Sequence, residues 1–399
     1  MDKKLSSKAL VFTDLHFGIH SNNESYIKIC SDTLKWISDY CVSEKIGDIV
    51  FMGDFFDSRA SIDVKTMNAA TQSLYMLADK GIDITMILGN HDIYLRDSTS
   101  IHSLLAFGGH KRIRLVEEAE CVEIDGCDDK VLLLPWLYGT ASKKVNVPRG
   151  TKYVFSHHNF PPDYFMGGGG RKRKQMSDTF ISKTPYEDEY GIQQEVLEEV
   201  VENGGLFFSG HIHQRKVIPL KNSAEMIIEG SPYETSWGFN GADCGVYVVD
   251  FVSGSYIFIS NPFNKKHVEI RTSDAEKDME GVDFEHSIIR LNVDTQESFD
   301  TISKLQARIN LMNPFSVENT KYEFTVAEFV GNRDDDSGNV IESICGKVSS
   351  KLDYVLGAID RGDFTSFSYM DAEGNVHPVD KEKLKHMARE LFEKKGKAA

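Results

Sequence analysis

The stretch A-L-V-F-T-D-L-H-F-G, residues 9–18, places an apolar run directly before Asp14 and His16. A short continuous apolar run bounded by polar residues is typical of a buried strand. The end of such a strand delivers the following polar side chains to the edge of a sheet, where α/β folds carry their chemistry. The stretch therefore predicts a strand that ends at two side chains able to bind a metal ion.

Four more motifs of this kind follow in order, each after an apolar run. They are GDFFD with Asp54, GNHD with Asn90, His91 and Asp92, SHH with His157, and GHIH with His211 and His213. A glycine stands directly before three of the predicted ligands, at Gly53, Gly89 and Gly210, which favours tight turns or a close approach of the backbone.

The motifs supply seven candidate ligands for a pair of divalent ions: Asp14, His16, Asp54, Asn90, His157, His211 and His213. Two ions about 3.5–4 Å apart need one carboxylate that bridges them and a mixture of nitrogen and oxygen ligands around each. A lone histidine near a strand end is more often a hydrogen-bonded structural residue. Five motifs in order, all at strand ends, favour the metal centre instead.

The motif series resembles the calcineurin-like metallophosphoesterase superfamily, and within it the DNA double-strand-break repair nucleases, the branch of the bacterial SbcD subunit and of phage recombination endonuclease subunits. The glycine of DLHFG, the spelling GDFFD and the stretch IIEGSPYETSWGFNGADCGVYVVDF, residues 227–251, favour that branch. Phosphoprotein phosphatases of the superfamily have Glu where Asp92 stands, and Ser58-Arg59 does not match their Arg-Gly. The resemblance covers about residues 8–270.

The resemblance implies one ion held by Asp14, His16, Asp54 and His213, and a second held by Asp54, Asn90, His157 and His211. His91 would stabilise or protonate the leaving oxygen, and Asp92 would fix the tautomer of His91. A simple turn histidine is the alternative for His91. His158 competes with His157, which we prefer because it comes first after the strand. Asp57 stands where archaeal and eukaryotic relatives carry a histidine linked to exonuclease action, so exonuclease polarity is not implied.

Carboxylate, imidazole and amide ligands without cysteine favour Mn²⁺ as the cofactor, with zinc and iron as alternatives. Two such ions acidify a bound water and neutralise phosphate charge. This chemistry predicts hydrolysis by direct in-line attack, without a covalent intermediate.

The order of segments predicts an α/β (α+β) fold of two mixed sheets packed as a sandwich and flanked by helices. The resemblance implies that residues 1–271 form a nuclease domain with this fold. The apolar spacing of Met67, Ala70, Leu74 and Leu77 predicts one of these helices. The acidic segment 272–283 is predicted to be a linker. Residues 284–370 then predict a small α+β unit that resembles, in position, the capping domain of the repair nucleases.

The net charge of −16 argues against a protein that holds long DNA by itself, because phosphate binding depends on Lys and Arg. Four glycines precede a basic run a few residues after His157: Arg171, Lys172, Arg173 and Lys174. We predict that this basic arm contacts the DNA backbone near the metals, with a solvated loop as the alternative.

The C-terminal segment 379–399 predicts a helix with an apolar stripe at Leu384, Met387, Ala388, Leu391 and Phe392. The stripe predicts packing either on the preceding unit or on a partner. The resemblance favours docking to the coiled-coil base of an SMC-like ATPase, and a second stripe in residues 341–355 is another candidate. A homodimer is left open.

The six cysteines form no CxxC pair, no secretory segment follows Lys3-Lys4, and no apolar run approaches the roughly 20 residues of a membrane span. We therefore expect a cytoplasmic protein, in the host cytoplasm if a phage encodes it, with free thiols and no membrane association. The absence of a Walker-type loop assigns any ATP dependence to a partner.

These observations predict an Mn²⁺-dependent DNA nuclease subunit of a repair or recombination complex. The alternatives are a free-standing metallophosphoesterase acting on a small phosphodiester or phosphomonoester, because the ligand set is shared across the superfamily, and a scaffold with an inactive site.

Overall fold

The computed structural model describes residues 4–95, 98–137, 145, 147–158, 199–239, 242–295, 299–318, 320–322, 368–370 and 376–378. The chain divides into two compact units, Met1–Lys266 and His267–Ala399. The predicted basic arm (171–174), the stripe in 341–355 and the C-terminal segment 379–399 lie outside the described residues.

The first unit contains twelve described strands, and its helices include α1 (Ile19–Asn22), α2 (Glu24–Glu44) and α3 (Val64–Asp79). In chain order the strands are β1 (Lys8–Phe12), β2 (Asp48–Phe51), β3 (Asp83–Ile87), β4 (Ile113–Val116), β5 (Glu120–Ile124), β6 (Cys127–Leu134), β7 (Thr151–Ser156), β8 (Leu206–Ser209), β9 (Lys216–Pro219), β10 (Glu225–Ile228), β11 (Gly245–Asp250) and β12 (Ser255–Ser260).

These strands form two six-stranded mixed sheets. The first has the order β12-β11-β1-β2-β3-β4, in which β1 to β4 are parallel and β11 and β12 are antiparallel additions. The second has the order β5-β6-β7-β8-β10-β9, with parallel pairing from β6 to β10 and antiparallel strands at both edges.

The core lies between the two sheets because side chains alternate along each strand. Val131 and Leu133 of β6 share one buried cluster with Val11 of the first sheet. Leu132 and Leu134, which point the opposite way, belong to a second cluster behind the second sheet. The predicted sandwich of two mixed sheets flanked by helices is confirmed.

Helices α2 and α3 begin at side-chain caps and contact each other. The side chain of Asn23 accepts a hydrogen bond from the Ser25 N–H at the start of α2. Helix α3 carries the predicted stripe, in which Ala70, Leu74 and Leu77 are buried. The stripe therefore serves the core, as the spacing indicated.

The strands that precede the five motifs are β1, β2, β3, β7 and β8, and each ends within a few residues of a predicted ligand. β1, β2 and β3 run parallel in one sheet, and β7 and β8 run parallel in the other. The carboxyl ends of parallel strands lie at one edge of their sheet, so each sheet presents its motifs together.

The second unit is described in part and contains both strands and helices. Its elements are β13 (Lys266–Arg271), α4 (Ala275–Asp278), β14 (Ser287–Val293), α5 (Phe299–Leu311), β15 (Ser316–Val317), β16 (Lys321–Tyr322), β17 (Ser368–Met370) and β18 (Val376–Pro378). β14 lies between β13 and β15 and also pairs with β16, while β17 and β18 pair with each other.

The acidic segment 272–283, which we predicted to be a linker, is instead part of the second unit. Its Asp278 accepts hydrogen bonds from the Arg271 guanidinium at 2.8 and 2.9 Å. Met279 is buried in one core cluster with Ile270. β13 also belongs to this unit, because it joins the sheet of β14. The prediction failed since composition alone does not reveal how acidic residues are paired.

Among the residues that the structure describes, no helix is long and apolar enough to cross a membrane. The cysteines in the same part of the chain are free: Cys30, Cys41, Cys121, Cys127 and Cys244. Cys345 lies outside it.

Candidate metal centre

The predicted ligands gather into two groups, each built from both sheets. Asp14, His16 and His213 form the first group, and Asp54, His157 and His211 form the second, with the ligand atoms of each group within 4.8 Å of one another. The Oδ1 of Asn90 lies 2.9 Å from the Nδ1 of His211, so it joins the second group. Asp14, His16, Asp54 and Asn90 follow strands of the first sheet, and the remaining three follow strands of the second.

The geometry of the first group calls for a cation. The Nε2 atoms of His16 and His213 lie 3.0 Å apart, and each is 3.5 Å from the Oδ1 of Asp14. The Nδ1 of His213 hydrogen-bonds the Thr235 hydroxyl at 3.0 Å, and the Nδ1 of His16 lies 3.5 Å from the Asp57 carboxylate. With protons on both Nδ1 atoms, two nitrogen lone pairs and a carboxylate face one point and repel each other unless a cation lies between them.

The second group has the same organisation around Asp54. The Nε2 of His157 lies 3.1 Å from the Asp54 Oδ2, while its Nδ1 donates to the Met52 carbonyl at 2.6 Å. The carbonyl fixes the proton on Nδ1 and leaves the Nε2 lone pair for a metal ion. The Asp54 Oδ2 is also 3.8 Å from the His16 Nε2. Asp54 therefore stands between the two groups, where a bridging carboxylate would be.

The buried site has unpaired ligand atoms. The Oδ1 of Asp14 and the Nε2 of His157 are buried and have no hydrogen-bond partner in the described part of the chain. A buried polar atom without a partner is costly. Both atoms are of the kind that binds metal ions, and they lie where the two groups face each other. The residues present therefore fit a pair of divalent cations.

Charges within the site shift the ionisation of its members. Burial alone would raise the pKa of Asp14, but His157 and the hydrogen-bonded His16 and His213 hold it well below its usual value. Although burial lowers it, the carboxylates of Asp54 and Asp14 raise the pKa of His157 to about 9. Burial and the neighbouring His157 lower the pKa of His211 to about 4. The paired carboxylates thus create a negative field that favours cations at the centre of the site.

Four of the predicted ligands have left-handed backbone conformations. The φ angles are 53° at Asp14, 50° at His16, 57° at Asp54 and 73° at His211. Such conformations cost an L-residue about 1–2 kcal/mol, and Asp and His tolerate them better than branched residues do. The sequence carries no signal for this strain, which clusters where functional sites store it.

Two of the glycines before ligands are required by close contacts. Gly53 has φ 101°, and a Cβ there would lie 2.7 Å from the Gly89 Cα and 2.7 Å from the His157 Nδ1. A Cβ on Gly89 would lie 2.2 Å from the Asp54 Oδ1. The predicted close approach of the backbone therefore occurs at both positions.

Asp92 does not orient His91, so that part of the prediction is wrong. Its buried carboxylate accepts from the N–H groups of Asp54 and Gly89, both at 2.9 Å, and of Phe55 at 3.1 Å. These bonds fasten the GDFFD and GNHD loops together. The Nδ1 of His91 donates instead to the carbonyl of Asp57. Neighbouring side chains in this turn point apart, and burial together with the Asp54 charge raises the pKa of Asp92 to about 7.

The structure separates the two neighbouring histidines after β7. His157 faces Asp54, whereas His158 accepts a hydrogen bond at Nε2 from the Leu137 N–H at 2.9 Å. The ring of His158 also stacks on Trp136, with 5.0 Å between the ring centroids. His158 therefore has a structural role beside Trp136, and His157 is the histidine that lies in the second group.

Sequence reasoning missed the residues that support the ligands. The Thr13 hydroxyl donates to the Asp14 Oδ2 at 2.9 Å, Asp57 approaches His16, and Thr235 contacts His213. Thr235 lies within residues 227–251, the stretch that favoured the nuclease branch, but no spacing rule links it to His213. Trp136 lies 5.0 Å from the His211 ring and had no signal in the sequence.

Comparison with known proteins matches this chain to one protein family and to one curated relative. A family model described as calcineurin-like phosphoesterase matches residues 7–215, more than half of the chain and a range that contains all five motifs. Exonuclease subunit 1 of Enterobacteria phage T4 is 30% identical over 133 residues. That alignment covers 33% of this chain and 38% of the relative, so the match spans well under half of the length of that protein.

Solved structures are similar over parts of the fold. A dimetal phosphatase from Danio rerio aligns with a TM-score of 0.36 and 13% identity, over 61% of this chain and 92% of its own. The nuclease MPE of Pseudomonas putida aligns with a TM-score of 0.28 and 14% identity, over 60% of this chain and 83% of its own.

Proposed function

Since the chain belongs to the calcineurin-like phosphoesterase family, we propose that it hydrolyses phosphodiester bonds of DNA with two divalent ions, Mn²⁺ by preference. The observation that carries the proposal is the pair of facing Nε2 atoms of His16 and His213, 3.0 Å apart beside Asp14, next to a second group of the same kind. Imidazole nitrogens and carboxylates buried around one point are the ligands of a cation, and a scaffold with an inactive site has no use for such an arrangement.

The ions would be held by the two groups already described, with Asp54 shared between them. When bound, two divalent ions acidify a water to near neutral pH and offset the charge of the phosphate oxygens. The ligand side chains contribute rigidity, because the Nδ1 atoms of His157 and His213 hydrogen-bond the Met52 carbonyl and the Thr235 hydroxyl. Oxygen and imidazole ligands without thiolate favour Mn²⁺ over softer metals.

His91 acts in this proposal on the leaving oxygen. Its Nδ1 is occupied by the Asp57 carbonyl, which leaves Nε2 on the opposite side of a partly exposed ring for the substrate. Its backbone N–H donates to the Asp54 Oδ1 at 2.8 Å, which ties its position to the shared ligand. A histidine so placed can donate a hydrogen bond or a proton to the departing oxygen.

DNA is the proposed substrate because of the sequence features of the nuclease branch and because the phage relative is named an exonuclease subunit. A comparison under Mn²⁺ of linear duplex DNA, circular single-stranded DNA and a chromogenic phosphodiester tests this. Cleavage of either DNA supports the proposal and also indicates whether the action is exonucleolytic or endonucleolytic. Turnover of the chromogenic compound alone would favour a phosphoesterase acting on small molecules.

The basic arm is proposed to supply part of the DNA affinity. Replacement of Arg171, Lys172, Arg173 and Lys174 by Ser is expected to weaken DNA binding and to flatten its dependence on salt, because fewer counterions are released. Hydrolysis of the chromogenic phosphodiester should stay unchanged. Affinity measured at several salt concentrations checks this, and an equal loss on both substrates would show that the segment supports the fold instead.

The partner is proposed to be an SMC-like coiled-coil ATPase bound through the C-terminal segment. Deletion of residues 379–399 should abolish association with the ATPase and any stimulation by ATP, since the apolar stripe supplies the anchors of groove binding. Basal Mn²⁺-dependent cleavage and the thermal melting temperature should persist. Pull-down, cleavage assays and thermal melts measure these effects. A truncated chain that unfolds, or that still binds the ATPase normally, contradicts docking.

A further inference from the structure

The segment Tyr233–Thr235 contacts both loops that carry the first ligand group. The Thr235 hydroxyl is 3.0 Å from the Nδ1 of His213. Two residues earlier, the Tyr233 hydroxyl donates to the Leu15 carbonyl at 2.8 Å. Leu15 is the residue between Asp14 and His16, so one short segment contacts the GHIH loop and the DLH loop at once.

The contacts are made by buried side chains, which gives them a fixed geometry. Tyr233 is fully buried and Thr235 is 1% exposed. The Cys30 Sγ also lies 3.2 Å from the Leu15 carbonyl, so Tyr233 and Cys30 hold that carbonyl together. Removing a hydroxyl here leaves the facing group without its partner in a place that water does not readily reach.

The segment is itself anchored from behind. Asn261 donates from Nδ2 to the Pro232 carbonyl at 2.9 Å, and the Glu234 N–H donates to the Asn264 Oδ1 at 2.9 Å. On the other side, the His20 Nε2 pairs with the Thr235 carbonyl at 2.8 Å. The Ser231 N–H donates a hydrogen bond to the His213 carbonyl at 2.9 Å, which adds a backbone contact with the GHIH loop. The segment is therefore a rigid support, and three of its anchors, Asn261, Asn264 and His20, are not predicted ligands.

From these contacts we propose that Thr235 and Tyr233 are positioning residues for one of the two metal ions. Thr235 keeps the proton of His213 on Nδ1 and turns Nε2 toward Asp14, and Tyr233 sets the distance between Asp14 and His16 through the Leu15 carbonyl. The inference rests on the proposed two-ion centre. It assigns to this segment a selective effect on the ion held by Asp14, His16 and His213.

The test measures Mn²⁺ binding to the full chain by calorimetric titration and by the electron paramagnetic resonance signal of free Mn²⁺. Thr235→Val removes the hydroxyl at nearly constant volume and should weaken the binding of one ion by about 10- to 100-fold, the usual effect of losing a partner of a ligating histidine. The other ion should bind with wild-type affinity. Thr235→Ser restores the hydroxyl and should restore the affinity.

Tyr233→Phe is the second variant and should weaken the binding of the same ion. Thr151→Val is the matched control, because Thr151 is also buried and donates from its hydroxyl to the Pro148 carbonyl, at the end of β7 opposite His157. It should leave both affinities unchanged. Thermal melts confirm that each variant is folded.

Wild-type Mn²⁺ affinity in both Thr235→Val and Tyr233→Phe would overturn this inference alone. Equal weakening of both ions, matched by Thr151→Val, would also overturn it, since the effect would then be one of general stability. A wild-type chain that binds no Mn²⁺ would overturn the proposed function, and this inference with it.

Discussion

Asp54→Asn is expected to abolish Mn²⁺-dependent cleavage of DNA and to reduce the bound metal below two ions per chain. Asp54 lies 3.1 Å from the His157 Nε2 and 3.8 Å from the His16 Nε2, so its carboxylate serves both ligand groups. An amide has no charge and offers only one ligand oxygen. Loss of a hydrogen-bond partner of a metal ligand typically lowers metal affinity or activity about 10–100-fold, so loss of the bridging carboxylate itself should lower them further.

The substitution is expected to isolate the metal function, because the backbone conformation at residue 54 suits Asn as well as Asp. Asn adopts left-handed conformations readily, so the φ of 57° at this position remains accessible. Asp48→Asn is the matched control: Asp48 is also buried, at the opposite end of β2, and accepts from the Ser6 N–H at 3.1 Å. Cleavage rates and metal content of both variants are the measurement. Near wild-type cleavage by Asp54→Asn with two bound ions would refute the bridge.

His91→Leu is expected to leave both ions bound and to reduce the cleavage rate by on the order of 10²-fold or more, the usual contribution of general acid catalysis. The backbone N–H of residue 91, which orients the Asp54 Oδ1, is kept in the variant. His91 is not one of the predicted ligands, although it forms a further cluster of possible metal-binding side chains with His16 and Asp57. The loss should therefore fall on turnover and spare metal affinity.

The measurement pairs metal content with single-turnover cleavage rates, so that chemistry is separated from binding. His110→Leu provides a control at another partly exposed histidine of the same unit. Loss of metal from His91→Leu would make His91 a ligand. An unchanged cleavage rate would reduce it to a turn histidine without a role in catalysis.

The fold and the membership of the site follow from sequence because the signals are local. Apolar runs end at each motif, and parallel strands bring their carboxyl ends to one edge, so Asp14, Asp54 and His157 could be predicted to meet. The choice between His157 and His158 needed coordinates, since both follow the same strand. The surroundings of each ring favour His157, because it faces Asp54 whereas His158 faces the Leu137 N–H.

The supporting contacts could not be predicted because they join segments far apart in sequence. No pattern connects Tyr233 with the Leu15 carbonyl, or Thr235 with His213. Asp92 was misjudged for the converse reason: adjacency to His91 suggested a contact, but the turn directs the two side chains apart. The left-handed backbone conformations of the ligands could not be predicted either, because Asp and His also occur in other backbone conformations.

The construction of each ligand group from both sheets has a consequence for biosynthesis. His16 and His213 are 197 positions apart, so a chain emerging from the ribosome lacks one histidine of each group until the GHIH motif has been made. Neither group is complete before that point. The proposed metal centre is therefore completed late, after strands of both sheets have been made and folded, and we expect a nascent or unfolded chain to lack the two-ion activity.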